Sequence, residues 1–439
     1  MDLRNFLRSL ETHGELEKFT KPVSLVHQLG DVLFTLEQKG MGAALFQDVG
    51  KSIPVTGGVL ASPRRIALAL NCDPEKIVDR CMAALGHPCP PAIVANPVCQ
   101  EITYTGDEAD LAMLPIPTHA RKDNGPFITG GVIVAKDPET GCQNLSFQRM
   151  QVKGKSKLGI MINEWRHLQV AYQKAEALGQ TLPVSIAIGV NPCIMIAAGF
   201  RYDGDEMEIA GALAQESLPV AKSLTNDIYV PADAEIIIEG RIEPYTREEE
   251  GPLGEFTGHY SKPWPSPVFH VTAITTRRDP IYQTIAGGSF EHINLGNVLP
   301  REPVLKQFVT FASGNVKAVH IPPYGSGFLA LVAIAKKNPG EPKNVAMAAL
   351  TSHVNIKAAI VVDPDIDIFN ANDVLWALST RVRPDLDVFL VPGAQGHELD
   401  PASDDRGVLC KVGIDATQMD ENLGFERVRY ATVNLDALR

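Results

Sequence analysis

Two short segments carry residue types whose spacing suits acid–base chemistry. The first is Glu248-Glu249-Glu250-Gly251-Pro252-Leu253-Gly254-Glu255. Its Gly-Pro-x-Gly turn can bring Glu250 and Glu255 back to one site. Two carboxylates held close push one pKa up, and an arginine between them pulls it down. A carboxyl tuned in this way can give or take a proton near neutral pH. An exposed acidic loop is the alternative reading. The second segment is Gln143-Asn144-Leu145-Ser146-Phe147-Gln148-Arg149-Met150-Gln151. In a strand, Asn144, Ser146 and Gln148 point one way and Leu145, Phe147 and Arg149 the other. An arginine among apolar neighbours is costly unless it meets an anion. That anion is either a ligand or the partner in a structural salt bridge.

The elements that must position these residues follow from pattern. The 439 residues exceed one ordinary core and imply two or three domains of about 100–200 residues. Leu3, Phe6, Leu7 and Leu10 predict a first helix over residues 2–18. AALFQDVG reads as a strand, and SPRRIALAL as a helix capped by Ser62 with Pro63 at its first position. The proline-rich stretch from Gly86 to Cys99 predicts a linker. From about 100 to 300, β-rich runs such as ITGGVIVAKD, AEIIIEGRIE and VFHVTAITT dominate, with HLQVAYQKAEALG as a helix between them. This predicts a β-barrel or curled sheet. Beyond 300, strand-like LALVAIAKK and AAIVVDPDIDIFN alternate with helical NANDVLWALSTRV, which predicts an α/β unit.

Composition excludes several classes. Hydrophobic residues make up 45% and the net charge is −12, with no run of five Lys or Arg. A nucleic-acid partner needs basic patches and is not expected. No apolar run reaches the ~18–20 residues that span a bilayer, and the amphipathic start does not read as a signal peptide. The seven cysteines (72, 81, 89, 99, 142, 193, 410) form no CxxC pair, so a disulfide framework or structural zinc is not expected and a cytoplasmic setting fits. GSGF at 325–328 and Gly287-Gly288 read as plain turns, since neither matches a phosphate loop. DPDIDIFNAND lacks the glycine and glutamate of a calcium loop.

Taken in order along the chain, these segments resemble the UbiD-like prenylated-FMN-dependent (de)carboxylases. Asn144 followed by Arg149, and the Glu250-to-Glu255 turn, look like two of that family's signatures. Trp165-Arg166-His167 and Asp205-Glu206 ahead of Ala210-Gly211-Ala212-Leu213 fall where it has metal- and flavin-binding residues. Thr225 to Pro231, Glu235 to Gly240, Leu375 to Arg381, Leu399-Asp400-Pro401 and Cys410 to Thr417 are similar to its scaffold. The likeness runs over essentially the whole chain.

The resemblance implies an α/β (α+β) fold in three parts. These are an N-terminal α/β domain (1–100), a central split β-barrel for flavin and metal (101–300), and a C-terminal α/β domain with an oligomerisation surface (301–439). It implies Arg149, Glu250 and Glu255 as the catalytic set, with Glu255 as proton donor and Arg149 orienting substrate or cofactor. Asn144, His167 and Glu206 would hold Mn2+ (or Mg2+). Asn144, Ser146, Phe147, Arg166, His167 and Lys411 would bind prenylated FMN. A K+ site would lie near Leu145 and Ala197-Ala198, although IAAGFRYDGDE departs from the family pattern. The implied reaction is reversible non-oxidative decarboxylation of an aromatic, heteroaromatic or α,β-unsaturated acid, releasing CO2, with a flavin prenyltransferase supplying the cofactor. A homodimer or higher homo-oligomer is expected. His292 and Arg301 are polar groups suited to a furan- or pyrrole-type carboxylate such as furan dicarboxylate. A flavin-binding or maturation protein without activity, and a decarboxylase of phenolic or cinnamate-like acids, fit the same motifs.

Overall fold

The computed structural model describes residues 1–163 and 166–418, together with 427, 428, 430 and 433. The first helix, Leu3–Thr12, is shorter than its apolar pattern suggested, because Leu16–Phe19 turns into a strand. It buries Leu3, Phe6, Leu7 and Leu10, and the Asp2 side chain caps it by accepting from the Asn5 amide. Ser62 caps Pro63–Leu70 as expected.

The N-terminal sheet has the order Leu16–Phe19, Ala43–Phe46, Val55–Gly57, Tyr282–Thr284. Its last strand comes from far along the chain and pairs in parallel with Val55–Gly57. The N-terminal unit is thus completed by a segment that follows the barrel.

The centre is a nine-stranded half-barrel. Its long strands Ile236–Glu250 and Trp264–Thr276 pair antiparallel, and Gly131–Lys136 pairs with Gln143–Phe147 at one end of the path. Both faces are covered. Val132, Val134, Leu145, Ala187 and Ile237 pack against the helices Pro192–Ala197 and Glu206–Ala214. Ile133, Ala135, Ile186, Ile236 and Ile238 pack on the other side with Leu168 and Tyr172 of the helix His167–Ala177. Burial on both faces is why Gly131–Lys136 reads as a continuous apolar run rather than an alternation.

The proline-rich stretch is not only linker: Ala92–Ile93 pairs with Pro219–Lys222. The C-terminal sheet runs Val316–His320, Leu329–Ile334, Ala358–Val362, Val408–Ala416, Val388–Gln395. Its inner pairs are parallel and its edge pairs antiparallel. No helix among the described residues is long and apolar enough to cross a membrane.

Candidate active site

Arg149 sits in the two-residue gap between Gln143–Phe147 and Met150–Gly154. Glu250 is the last residue of Ile236–Glu250, and the turn after it carries Glu255 back toward the same guanidinium. Gly251 adopts φ +92°, a conformation glycine reaches without strain. Arg149 Nε and Nη2 donate to the two Glu250 oxygens at 3.0 and 2.7 Å. Its Nη1 donates to Glu255 Oε1. Glu250 is fully buried. Burial raises the Glu250 carboxyl above its ordinary value, against the pull of Arg149. Burial also works against the Arg149 charge, but Glu255 and Glu250 outweigh it and hold its pKa above the usual value. The bidentate pair fixes the guanidinium plane, and Glu255 is left as the carboxylate that faces open space.

That space is a cavity of about 160 Å3. Phe147, Gln148, Arg149 and Glu255 line one side of it. The strict alternation expected through Arg149 ends at Phe147, because the strand stops there and Gln148 and Arg149 both reach the cavity. His292 and Arg301 line another side, as does Arg166. Neither Arg166 nor Arg301 has a carboxylate within ion-pair distance among the described residues. Burial, and after it the nearby Arg166 charge, lower the Arg301 pKa to about 9. The Asn355 amide oxygen, in the orientation that satisfies its neighbours, accepts from Arg301 Nη1 at 2.6 Å and Nη2 at 3.2 Å. Burial, then Arg301 and Arg166, depress His353 to about 3 and His397 to about 4. Burial also lowers the His292 pKa. Phe256 packs edge-on against His292 and His397, with ring centroids 6.3 and 5.5 Å apart. A pocket with two guanidiniums that no carboxylate among the described residues pairs with, beside neutral imidazoles, suits an anion.

Asn144, His167 and Glu206 also meet. His167 begins His167–Ala177, and Glu206 begins Glu206–Ala214, capped by Asp205. Asn144 Nδ2 lies 2.8 Å from Glu206 Oε1 and 3.5 Å from His167 Nδ1, which is 3.8 Å from Glu206 Oε1. Glu206 is fully buried, and its Oε2 accepts the Leu145 amide at 2.8 Å. Asn144 Oδ1 is buried without a partner. With the two ends of that amide exchanged, the Asn144 oxygen would join Glu206 Oε1 and His167 Nδ1 as a third acceptor, a set that would suit a cation. The donor set fits Mn2+ or Mg2+: two hard oxygens and one imidazole. Ser146 Oγ and Gln148 Nε2 are also buried without partners among the described residues.

One expected cofactor residue sits elsewhere. Lys411 does not line the cavity; its Nζ donates to the Leu350 and His353 carbonyls at 2.9 and 3.5 Å. Trp165 lies outside the described residues. Leu145 is a core residue, and Ala197 and Ala198 are buried at the end of Pro192–Ala197. The sequence reading missed Thr129, which follows Phe127–Ile128, Asn297 of the π-helical turn Asn294–Val298, and His397 and Leu399 of the loop after Val388–Gln395, all of which line the cavity. Leu399-Asp400-Pro401 was read only as scaffold, and nothing local marked the others.

Comparison with known proteins places this geometry. Three domain families match in chain order. They are the 3-octaprenyl-4-hydroxybenzoate carboxy-lyase N-terminal domain over residues 7–85, its Rift-related domain over 92–290 and its C-terminal domain over 295–416. The chain belongs to the UbiD family. As a member of that family it is a carboxy-lyase. It is 40% identical over 368 residues to anhydromevalonate phosphate decarboxylase of Methanothermobacter thermautotrophicus, covering 83% of this chain and 85% of that one. It is 35% identical to the enzyme of that name from Methanosarcina mazei, over 97% of this chain and 99% of the other. Among solved structures it is similar to the UbiD-class enzyme HmfF of Pelotomaculum thermopropionicum in complex with FMN. The TM-score there is 0.93 and the identity 40%, covering 100% of this chain and 99% of that one. An evolved dimeric form of HmfF with prFMN matches at TM-score 0.91 and 37% identity, over 99% of each chain. These relatives are enzymes, which argues against a non-catalytic flavin carrier.

Proposed function

We propose that this UbiD-family protein decarboxylates an α,β-unsaturated carboxylic acid that carries a second anionic group, with prenylated FMN bound in the cavity and a divalent ion held beside it. The observation that carries this is the placement of Glu255 on the same cavity as Arg166 and Arg301, two guanidiniums without carboxylate partners among the described residues. The names of the curated relatives point to a phosphate as the second anion. They do not support the furan- or pyrrole-type substrate expected from His292 and Arg301. A phosphate dianion answers two guanidinium charges better than a single carboxylate.

Prenylated FMN, when bound, supplies a ring that accepts electron density from the carbon losing CO2. The chain supplies position and protons. Arg149, held flat by Glu250, orients the substrate carboxylate. Glu255, in its protonated form, gives its proton to that carbon as the C–C bond to CO2 breaks. It regains a proton from solvent before the next turnover. Asn144, His167 and Glu206 would hold Mn2+ or Mg2+ near the flavin phosphate, offsetting the like charge of Glu206 and phosphate. Ser146, Phe147, Gln148 and Arg166 would contact the flavin. A K+ site near Leu145 and Ala197-Ala198 belongs to the same reading, as does assembly into a homodimer or larger homo-oligomer.

The test is CO2 release from a substrate panel by protein produced with a flavin prenyltransferase. The panel holds anhydromevalonate phosphate, its dephosphorylated form, furan-2,5-dicarboxylate and a cinnamate. The phosphorylated acid is expected to turn over with the highest kcat/KM. Equal rates with and without the phosphate sink the second-anion reading, and no release from any acid sinks the decarboxylase reading of this site.

A further inference from the structure

A buried polar path leads from the N-terminal sheet into the cavity. His119 is 5% exposed, and its Nε2 lies 2.9 Å from Thr284 Oγ1. Thr284 is fully buried, on the strand that completes the N-terminal sheet. Its Oγ1 lies 3.2 Å from Thr129 Oγ1. Thr129 lines the cavity, and its Oγ1 also accepts the Ile285 amide at 3.3 Å. His119 Nδ1 is buried and meets no hydrogen-bond partner among the described residues.

Counting donors and acceptors sets the direction of every proton on this path. Burial keeps the His119 imidazole neutral, with its pKa lowered to about 4, so one ring nitrogen carries a proton. A buried N–H without an acceptor is rarer and costlier than a buried lone pair without a donor. The unpartnered Nδ1 is therefore the lone pair, and Nε2–H donates to Thr284. Thr284 then gives its own hydroxyl proton to Thr129, its other partner. Thr129 Oγ1 accepts twice, from Ile285 and Thr284, which fills both acceptor positions of a hydroxyl. Its proton has one open direction left, the cavity.

We propose that Thr129 donates a hydrogen bond to an acceptor atom of the ligand bound in the cavity, and that Thr284 and His119 are positioning residues that fix the direction of that donor. The proposal rests on the reading of the cavity as the flavin and substrate site. The acceptor is either a carbonyl or ring nitrogen of the flavin or an oxygen of the substrate carboxylate.

The test titrates the full-length protein, freed of flavin, with FMN, recording affinity and absorption spectrum, and measures KM on loaded enzyme. Thr129→Val is expected to weaken one ligand by roughly tenfold, the worth of one hydrogen bond to a buried acceptor. A weaker FMN Kd with a shifted spectrum places the acceptor on the flavin, and a raised KM alone places it on the substrate. Thr129→Ser is expected to restore both. Thr284→Val combined with Thr129→Val should be no worse than Thr129→Val alone. His119→Gln, whose amide keeps a donor toward Thr284, should outperform His119→Met. A Thr129→Val protein with unchanged FMN affinity, spectrum and KM overturns the proposal. A wild-type protein that binds no FMN removes the functional reading. The path itself is checked independently by the 15N chemical shifts of the His119 ring, where a protonated Nδ1 overturns it.

Discussion

At the scale of the residue, the two carboxylates that hold Arg149 differ in their surroundings, and the proposed mechanism gives them different work. Glu250 is fully buried and grips Arg149 with both oxygens, whereas Glu255 makes one contact and borders the cavity. Glu255→Gln is therefore expected to abolish CO2 release while the flavin spectrum of the purified protein stays unchanged; activity near wild type removes Glu255 as proton donor. Glu250→Gln should act through stability as well as rate. It leaves Arg149 with a single charged partner in a buried place, and breaking such a pair costs about 3–5 kcal/mol. A lower Tm together with a kcat loss is the expected pair of readings. Arg301 answers a different question. Arg301→Gln should raise KM for the phosphorylated acid by about 10–100-fold, the worth of a charged hydrogen bond, and leave the dephosphorylated acid almost unaffected. Asn144, Arg149, Glu250 and Glu255 were legible in the sequence because each pair lies within six residues. His397 and Thr129 were not, since they meet only across the folded chain.

At the scale of elements, the wall that carries His292 and Arg301 is held by the N-terminal unit. The Glu291 carboxylate accepts the Gly58 and Leu60 amides at 2.7 and 2.9 Å, and Glu37 accepts the Phe290 amide at 2.6 Å. The chain continues through a π-helical turn, Asn294–Val298, a geometry often found at functional sites. Gly287 presses on the backbone of Gly254 so closely that a Cβ there would overlap the Gly254 carbonyl oxygen. Glu255 and His292 are thereby set against each other by backbone contact. Burial raises Glu291 from 4.5 to about 7, against the pull of the two amides, and raises Glu37 to about 6. The folded state thus binds these protons more tightly than the unfolded chain. The stability that they contribute is present below the unfolded value and is lost as pH rises through about 7 for Glu291. Thermal unfolding should show Tm falling between about pH 5 and 8, and Glu291→Gln should flatten that fall. A slope unchanged in the variant removes Glu291 as its source.

At the scale of the whole molecule, the half-barrel carries Asn144 and, in a gap between two of its strands, Arg149, while His167 and Glu206 begin helices that pack on it, and the C-terminal unit adds His397 and Leu399 to the cavity. If a divalent ion joins Asn144, His167 and Glu206 to the flavin phosphate, treatment with EDTA should weaken FMN binding by roughly tenfold or more, and Mn2+ or Mg2+ should restore it. Affinity indifferent to both treatments sinks the metal site. The sequence by itself determined the family, the three-part α/β order and the pairing of Arg149 with Glu250 and Glu255. The α/β order rests on local periodicity and turn chemistry written along the chain, whereas the family and the pairing of Arg149 with Glu250 across 101 residues rest on the resemblance that the short motifs carry. Tertiary structure alone decided that Tyr282–Thr284 completes the N-terminal sheet and that Gln148 turns into the cavity with Arg149. It also decided that the Lys411 ammonium is taken up by the Leu350 and His353 carbonyls. A strand's partner, the point where a strand stops and the acceptor that a long side chain finds are set by atoms many residues away, and no local pattern records them.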